Sequence, residues 1–332
     1  MTTPRTRLPD SRQFPRFAGL CTFARYPRIE DVAPDAQPVD WAVYGVPFDG
    51  GVTYRPGARF GPRAIRDAAQ YIKTHHLEHG VTVTDILSLA DAGDAPVRPY
   101  SCEDNAKTVA QFAQSLGESS RTKLLALGGD HSIALANIRA THARRGAPAG
   151  GLALVHFDAH LDTVDAVWGE RYGHASPFIR AIEEGLVDPK RMITIGIRGP
   201  LNTPRDLDFA RDHGVTIVTA DDWRSGAGPR ALADFLRRID GAEAYCSFDI
   251  DVADPVYAPG TGTPQVGGLT SAELLAALRV LVTPGAGPGI NLVGADVVEV
   301  LPERDVAGVT ALLAAQVAFE LLAADAATRA RA

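Results

Sequence analysis

The sequence predicts an α/β protein built on a mostly parallel, doubly wound sheet, and three observations carry that expectation. Short apolar runs alternate with longer amphipathic ones along most of the chain. Most short runs are apolar at consecutive positions, as strands covered by helices on both faces must be. No composition shift, repeat or low-complexity tract divides the 332 residues. A single domain is therefore expected over 39–325, between an irregular arm (1–38) and a short tail (326–332).

The arm is rich in Pro, Arg and Asp and lacks periodicity, which argues against regular structure. Strands are expected at WAVYGV (41–46), KLLALG (123–128), GLALVHFD (151–158), MITIGI (192–197), VTIV (215–218), AYCSFDI (244–250) and NLVGADVVEV (291–300). Helices are expected between them. In DNAKTVAQFAQSL (104–116), Val109, Phe112 and Leu116 recur at helical spacing. SIALANIRATHARR (132–145), PRALADFLRRI (229–239) and SAELLAALRVLV (271–282) behave alike, the last opening on the cap residues Thr270 and Ser271. The closing AADAATRARA reads as a solvated helix end.

Composition narrows the function classes. Apolar residues make up 45% and charged ones 22%, an ordinary globular balance. A net charge of −7 with scattered Lys and Arg gives no electrostatic case for nucleic acid. No uninterrupted apolar run approaches the roughly 20 residues that span a bilayer. The N-terminus has no apolar signal region, so no membrane partner and a cytoplasmic location are expected. Cys21, Cys102 and Cys246 are odd in number and far apart, which suits neither a disulfide framework nor a cysteine zinc site.

Ligands of such sheets bind outside the carboxyl ends of the strands, and the chemistry of this chain gathers there. LALGGDHS places His131 after one strand. VHFDAHLD ends another in Asp158, His160 and Asp162. SFDIDVADP supplies Asp249, Asp251 and Asp254, and ADVVEV carries Glu299. Taken singly, each has a bland reading: His131 as a loop hydrogen-bonder, Asp158 as a helix cap, Asp254 before Pro255 as a turn-former. Crowded on one rim, these carboxylates and imidazoles repel and desolvate one another unless a cation compensates. Mixed carboxylate and imidazole donors suit Mn²⁺, Zn²⁺, Ni²⁺ or Fe²⁺, whereas Ca²⁺ prefers oxygen alone. His131, Asp158, His160, Asp162, Asp249 and Asp251 are too many for one ion. They suit two divalent ions roughly 3.5 Å apart that activate a water as hydroxide.

In order, GGDHS, FDAHLD and SFDIDVADPVYAPGTGTPQVGGLT resemble the ureohydrolase family of arginase and agmatinase. GVPFDGGVTYRPGARFGPRAIR (45–66) is similar to the agmatinase branch, which includes guanidinobutyrase, guanidinopropionase and proclavaminate amidinohydrolase. The resemblance runs from about residue 40 to 320. It implies a three-layer α/β/α fold and a binuclear, usually manganese, centre that hydrolyses a guanidine to an amine and urea, with Ni²⁺ or Zn²⁺ as alternatives. One ion would be held by His131, Asp158, Asp162 and Asp249, the other by Asp158, His160, Asp249 and Asp251. Glu299 would receive the substrate guanidinium and His174, in RYGHASPF, would relay protons near the leaving amine. The resemblance also implies a homo-oligomer, a trimer or hexamer.

Two departures bear on the substrate: His174-Ala175 replaces the usual His-Gly, and Leu301 stands where relatives carry Ser or Asn. The loop after Asp162, TVDAVWGERYG, lacks the Asn- and Ser-rich pattern with which arginases hold an α-amino acid, so arginine is disfavoured. Asp165 and Trp168 are candidates to contact the substrate tail. Tyr54, Arg55 and Arg59 either fold over the pocket mouth or make surface or subunit salt bridges. The expected substrate is a small guanidino compound of agmatine or guanidinobutyrate type. Guanidine or a biguanide on the same site, a catalytically silent partner subunit, and a single-zinc deacetylase-like hydrolase are the alternatives. The last needs only one Asp-His-Asp set, and His131 and Asp251 argue against it.

Overall fold

A computed structural model describes residues 4–239, 241–282 and 289–331. Its strands are β1 (Trp41–Val46), β2 (His75–His76), β3 (Val81–Thr82), β4 (Leu89–Asp94), β5 (Lys123–Gly128), β6 (Leu152–Phe157), β7 (Val187–Ile197), β8 (Thr216–Thr219), β9 (Glu243–Asp249) and β10 (Asn291–Val298). β2 and β3 form a small antiparallel pair. The other eight make one sheet in the order β4-β1-β5-β10-β9-β6-β7-β8, parallel throughout.

The helices are α1 (Gly61–Ala68), α2 (Val83–Ile86), α3 (Cys102–Ser115), α4 (Ile133–Arg144), α5 (Pro177–Glu183), α6 (Asp208–Asp212), α7 (Ala220–Arg224), α8 (Ala227–Ile239), α9 (Ser271–Val280) and α10 (Val309–Arg331). Alternate residues of each strand feed two separate cores. Val43, Leu125, Val155 and Phe157 pack with α8, α9 and α10, whereas Tyr44, Ala126 and Leu154 pack with α3, α4 and α5. That split explains why the strands read apolar on both faces. The result is a three-layer α/β/α architecture.

β4 was not legible in the sequence because LADAGD is half polar. Its Asp91 is buried and accepts from Arg66 Nε of α1 at 2.8 Å and from the Phe23 backbone N–H at 2.7 Å. The N-terminal arm carries three short 3-10 turns, Phe23–Arg25, Ile29–Asp31 and Pro34–Ala36, and packs onto the domain. Phe23 and Tyr26 are fully buried, and Arg28 bridges to β4.

The C-terminal boundary at 326 needs correcting. α10 runs through it to Arg331, and burial continues to Ala327. α10 is long and apolar enough to cross a membrane, but 67% of its most apolar window is packed inside the protein. Its two acids tie it to its neighbours, Asp325 to the large sheet and Glu320 to β2 and α9. Asp325 accepts from Trp41 Nε1 at 2.8 Å and Lys123 Nζ at 2.9 Å. Glu320 meets His76 Nε2 at 2.8 Å and Arg279 Nη2 at 2.7 Å.

Burial alone would raise the Glu320 pKa, but His76 and Arg279 outweigh it and hold it at about 2. A carboxyl depressed in the folded state stabilises fully above its unfolded pKa, near 4.5. That contribution is lost as pH falls toward 2. Glu320→Gln is therefore expected to lower the melting temperature by several degrees at pH 7, since breaking a buried pair costs about 3–5 kcal/mol. Below pH 4 the difference from wild type should shrink. Thermal unfolding across pH checks this; equal melting temperatures at pH 7 would mean the pair adds no net stability.

Candidate active site

Four neighbouring strands in the middle of the sheet end level with one another. Leu127 of β5 pairs with Val297 of β10, Val297 with Phe248 of β9, and Phe248 with Phe157 of β6. The polar residues follow within a few positions on each strand, so they converge without any loop having to reach. β5 ends on Gly128 and the chain turns at Gly129. A Cβ on Gly129 would lie 2.3 Å from the Phe48 carbonyl and 2.6 Å from that of Val46. Only glycine permits this exit, which drops His131 among the carboxylates.

His131 is fully buried. Its Nδ1 lies 3.1 Å from Asp158 Oδ2, 2.9 Å from Asp162 Oδ2 and 3.2 Å from Asp249 Oδ2. Its Nε2 is 2.9 Å from Ser247 Oγ, which donates to Asp296 Oδ1 at 2.7 Å. Ser247 therefore accepts from Nε2–H, and Nδ1 faces the three acids with no hydrogen-bond partner. A second convergence lies beside it: His160 Nδ1 is 3.3 Å from Asp158 Oδ1 and 3.1 Å from Asp251 Oδ2. Asp158 thus turns one oxygen to each histidine. Asp249 turns Oδ2 to His131 while its Oδ1 accepts from the Asp251 backbone N–H at 2.8 Å.

The electrostatics show what this cluster lacks. Burial lowers His131 and His160, but the surrounding aspartates outweigh it and raise both. Burial raises Asp249 and Asp251, and the Asp158 charge raises them further. Burial also acts to raise Asp158, yet hydrogen bonds from His131, His156 and His160 hold it low. Acids that resist ionisation beside imidazoles that retain protons mark a pocket short of positive charge. Asp158, His160 and Asp251, and separately His131, His156 and Asp158, bring ligand atoms close enough to share a metal ion. The residues fit divalent metal.

Glu299 stands just past β10 in the left-handed region, with φ 64°. Its Oε1 accepts from the His131 backbone N–H at 2.8 Å and from His174 Nδ1 at 2.9 Å. Its Oε2 is buried with no partner. Gly262 is its neighbour, and a Cβ there would sit 3.5 Å from that oxygen.

The Arginase family profile matches residues 39–324. The chain belongs to the arginase family. Guanidinopropionase of Pseudomonas aeruginosa is 42% identical over 94% of each chain. The mitochondrial agmatinase of Gallus gallus is 39% identical over 96% of this chain and 89% of its own. The solved structure of proclavaminate amidinohydrolase from Streptomyces clavuligerus superposes with a TM-score of 0.84 at 41% identity, covering 95% of this chain and all of that one.

In this arginase-family chain the site opens into a cavity of about 440 Å³. His160, Asp162, Asp249, His174 and Thr53 line its inner end, and Val164, Val167, Trp168, Pro200, Leu201 and Asp206 its outer part. His174 Nε2 is 3.0 Å from the Thr53 backbone N–H and 2.7 Å from Thr53 Oγ1. Burial lowers His174, but its bond to Glu299 outweighs this and raises it to about 9. The Thr53 N–H favours instead a lone pair on Nε2; a proton on Nδ1 is common to both.

Two expectations about the arginase-family pocket are corrected. Asp165 does not line the cavity, because Arg180 and Arg171 engage its carboxylate. Leu301 does not line it either: its side chain is buried against Gly57, so it shapes the loop carrying Tyr54 and Arg55 rather than the wall. Of the two readings of Arg59, the structure shows an ion pair, with the buried Asp49. Trp168 lines the cavity at its lip, 84% exposed, and Arg55 lies over the exposed Tyr54 ring.

Several site residues escaped the sequence reading. Asp206 carries no motif signal, and Thr53 lies within the signature at 45–66 without being singled out there. Asp130, inside GGDHS, accepts from the Gly51 backbone N–H at 2.8 Å and from Ser132, tying the early glycine loop to the site. His156 had a signal: an imidazole in a core strand, two residues before Asp158.

Proposed function

We propose that this protein hydrolyses the guanidino group of a small guanidino compound to an amine and urea. The carrying observation is the convergence, at one rim, of six metal-type ligands with a buried carboxylate that keeps one oxygen without a partner. His131, Asp158, Asp162 and Asp249 would hold one ion, and Asp158, His160, Asp249 and Asp251 the other. Mn²⁺ suits these mixed donors, with Ni²⁺ or Zn²⁺ as alternatives. A divalent pair held there would supply a water-derived nucleophile near neutral pH.

The rest is the work of the chain. Glu299 Oε1 is pinned by two donors, which aims Oε2 as a planar acceptor for a planar cation. His174 shares its Nδ1 proton with Glu299 and lines the cavity, so it is placed to pass a proton to the leaving amine. Burial around them strengthens each of these contacts.

The wall beyond favours a methylene-rich tail of agmatine or guanidinobutyrate type. Its apolar side chains Val164, Val167, Pro200 and Leu201 suit such a tail. Arg198, the arginine on this wall, spends its N–H groups on backbone carbonyls of residues 196, 251, 252, 253 and 265. Asp206 favours an amine at the tail end. A carboxylate tail is the second reading, favoured by the 42% identity to a guanidinopropionase.

Urea release is the test, across agmatine, 4-guanidinobutyrate, 3-guanidinopropionate, arginine, guanidine and a biguanide, with each metal reconstituted in turn. Arginine must strip an α-carboxylate and an α-ammonium of water without partners, at several kcal/mol. It is expected to trail the best substrate by at least roughly 10²-fold in kcat/KM. Arginine ranking first would overturn the pocket argument. Cleavage of guanidine or a biguanide alone would keep the chemistry and overturn the tail.

A further inference from the structure

His156 lies inside β6, on the same side of the strand as Asp158, with no solvent exposure. A buried imidazole is costly unless both nitrogens find partners, and both do. Nε2 lies 2.9 Å from Asp158 Oδ2. Nδ1 meets Thr194 Oγ1, and Thr194 is the residue directly opposite His156 in the pairing of β6 with β7. The carboxylate can only accept, so the proton sits on Nε2 and Thr194 donates to Nδ1. Phe178 packs its ring 4.3 Å from the imidazole, centroid to centroid, and blocks the space into which it could swing.

The effect falls on Asp158. Oδ2 is held by His156, and Oδ1 accepts from the His160 backbone N–H at 2.6 Å. These two donors, one per oxygen, fix the plane of the carboxylate. In that plane Oδ2 faces His131 Nδ1 and Oδ1 faces His160 Nδ1. Without His156, rotation about the Cβ–Cγ bond would cost one contact fewer.

We propose that His156, oriented by Thr194, is a positioning residue that sets the carboxylate plane of Asp158 so that one side chain serves both ions. The proposal rests on the binuclear reading of the site. It distinguishes His156 from a merely satisfied core histidine and from a seventh metal ligand.

The experiment uses the full chain, stripped of metal and titrated with Mn²⁺. Bound ions are counted by elemental analysis, affinities come from chelator competition, and exchange coupling between the ions from electron paramagnetic resonance. His156→Phe is expected to weaken Mn²⁺ binding about 10- to 100-fold while still taking two ions at saturation, with altered coupling. Thr194→Val should shift affinity and coupling in the same direction but less. His156→Gln, whose side-chain amide can still donate, should recover part of the loss. Melting of the metal-free proteins separates this from general destabilisation. If His156→Phe does not fold, Thr194→Val carries the test.

Wild-type affinity and coupling in the variants would overturn the proposal, as would losses that merely track metal-free stability. One ion at saturation in His156→Phe would make His156 a ligand, which also overturns it. A wild-type protein that takes up no Mn²⁺ would instead overturn the binuclear reading beneath it.

Discussion

Asp158→Ala is expected to yield a folded protein that holds neither ion tightly and releases no urea above background. The reason lies in how many groups converge on this carboxylate. Oδ2 lies within 3.1 Å of His131 Nδ1 and 2.9 Å of His156 Nε2, and Oδ1 within 2.6 Å of the His160 N–H and 3.3 Å of its ring. Alanine removes one donor from each ion and frees His156 and His160 at once. Removing one partner of a buried ionic contact costs about 3–5 kcal/mol, or roughly 10²- to 10⁴-fold in affinity for each ion. Elemental analysis after desalting gives the readout. Two retained ions per chain would end the assignment of Asp158 as a shared ligand.

Glu299→Gln should retain both ions and lose most turnover. An amide oxygen can take the place of Oε1 and still accept from the His131 N–H and His174 Nδ1, so the metal side is undisturbed. The amide nitrogen then occupies the Oε2 position and points donors at a guanidinium that can itself only donate. The planar acceptor becomes a repulsive contact, and the charge that balances the substrate is gone. A loss of about 3–5 kcal/mol is expected, roughly 10²- to 10⁴-fold in kcat/KM. Near-normal turnover with metal in place, or loss of metal, would give Glu299 another role.

The contrast between what was legible in the sequence and what was not follows from which forces are local. β1 and β5 fall at their predicted bounds because uninterrupted apolar runs report burial on both faces directly. β4 did not, because Asp91 owes its place in the sheet to Arg66, a partner 25 residues away. α10 carried no helical periodicity because nearly its whole circumference is buried. At the site, residue type and position at a strand end were enough to pick out the six residues that converge. Side-chain direction was not readable: Asp165 turned to Arg180, and Leu301 turned under Gly57. His156 and Thr194 come together only through strand pairing, which no local pattern encodes.

The backbone at Glu299 has one more implication. A side chain in the left-handed region costs about 1–2 kcal/mol relative to glycine, and this one also carries a buried carboxylate oxygen with no partner. Glycine would relax the turn and remove the lone oxygen, but it would also strip the buried His131 N–H and His174 Nδ1 of their acceptor. A laboratory selection that rewarded heat resistance without demanding turnover would weigh these opposite effects directly at 299. The strained backbone and the lone oxygen count against the acid there, and its two bonds count for it.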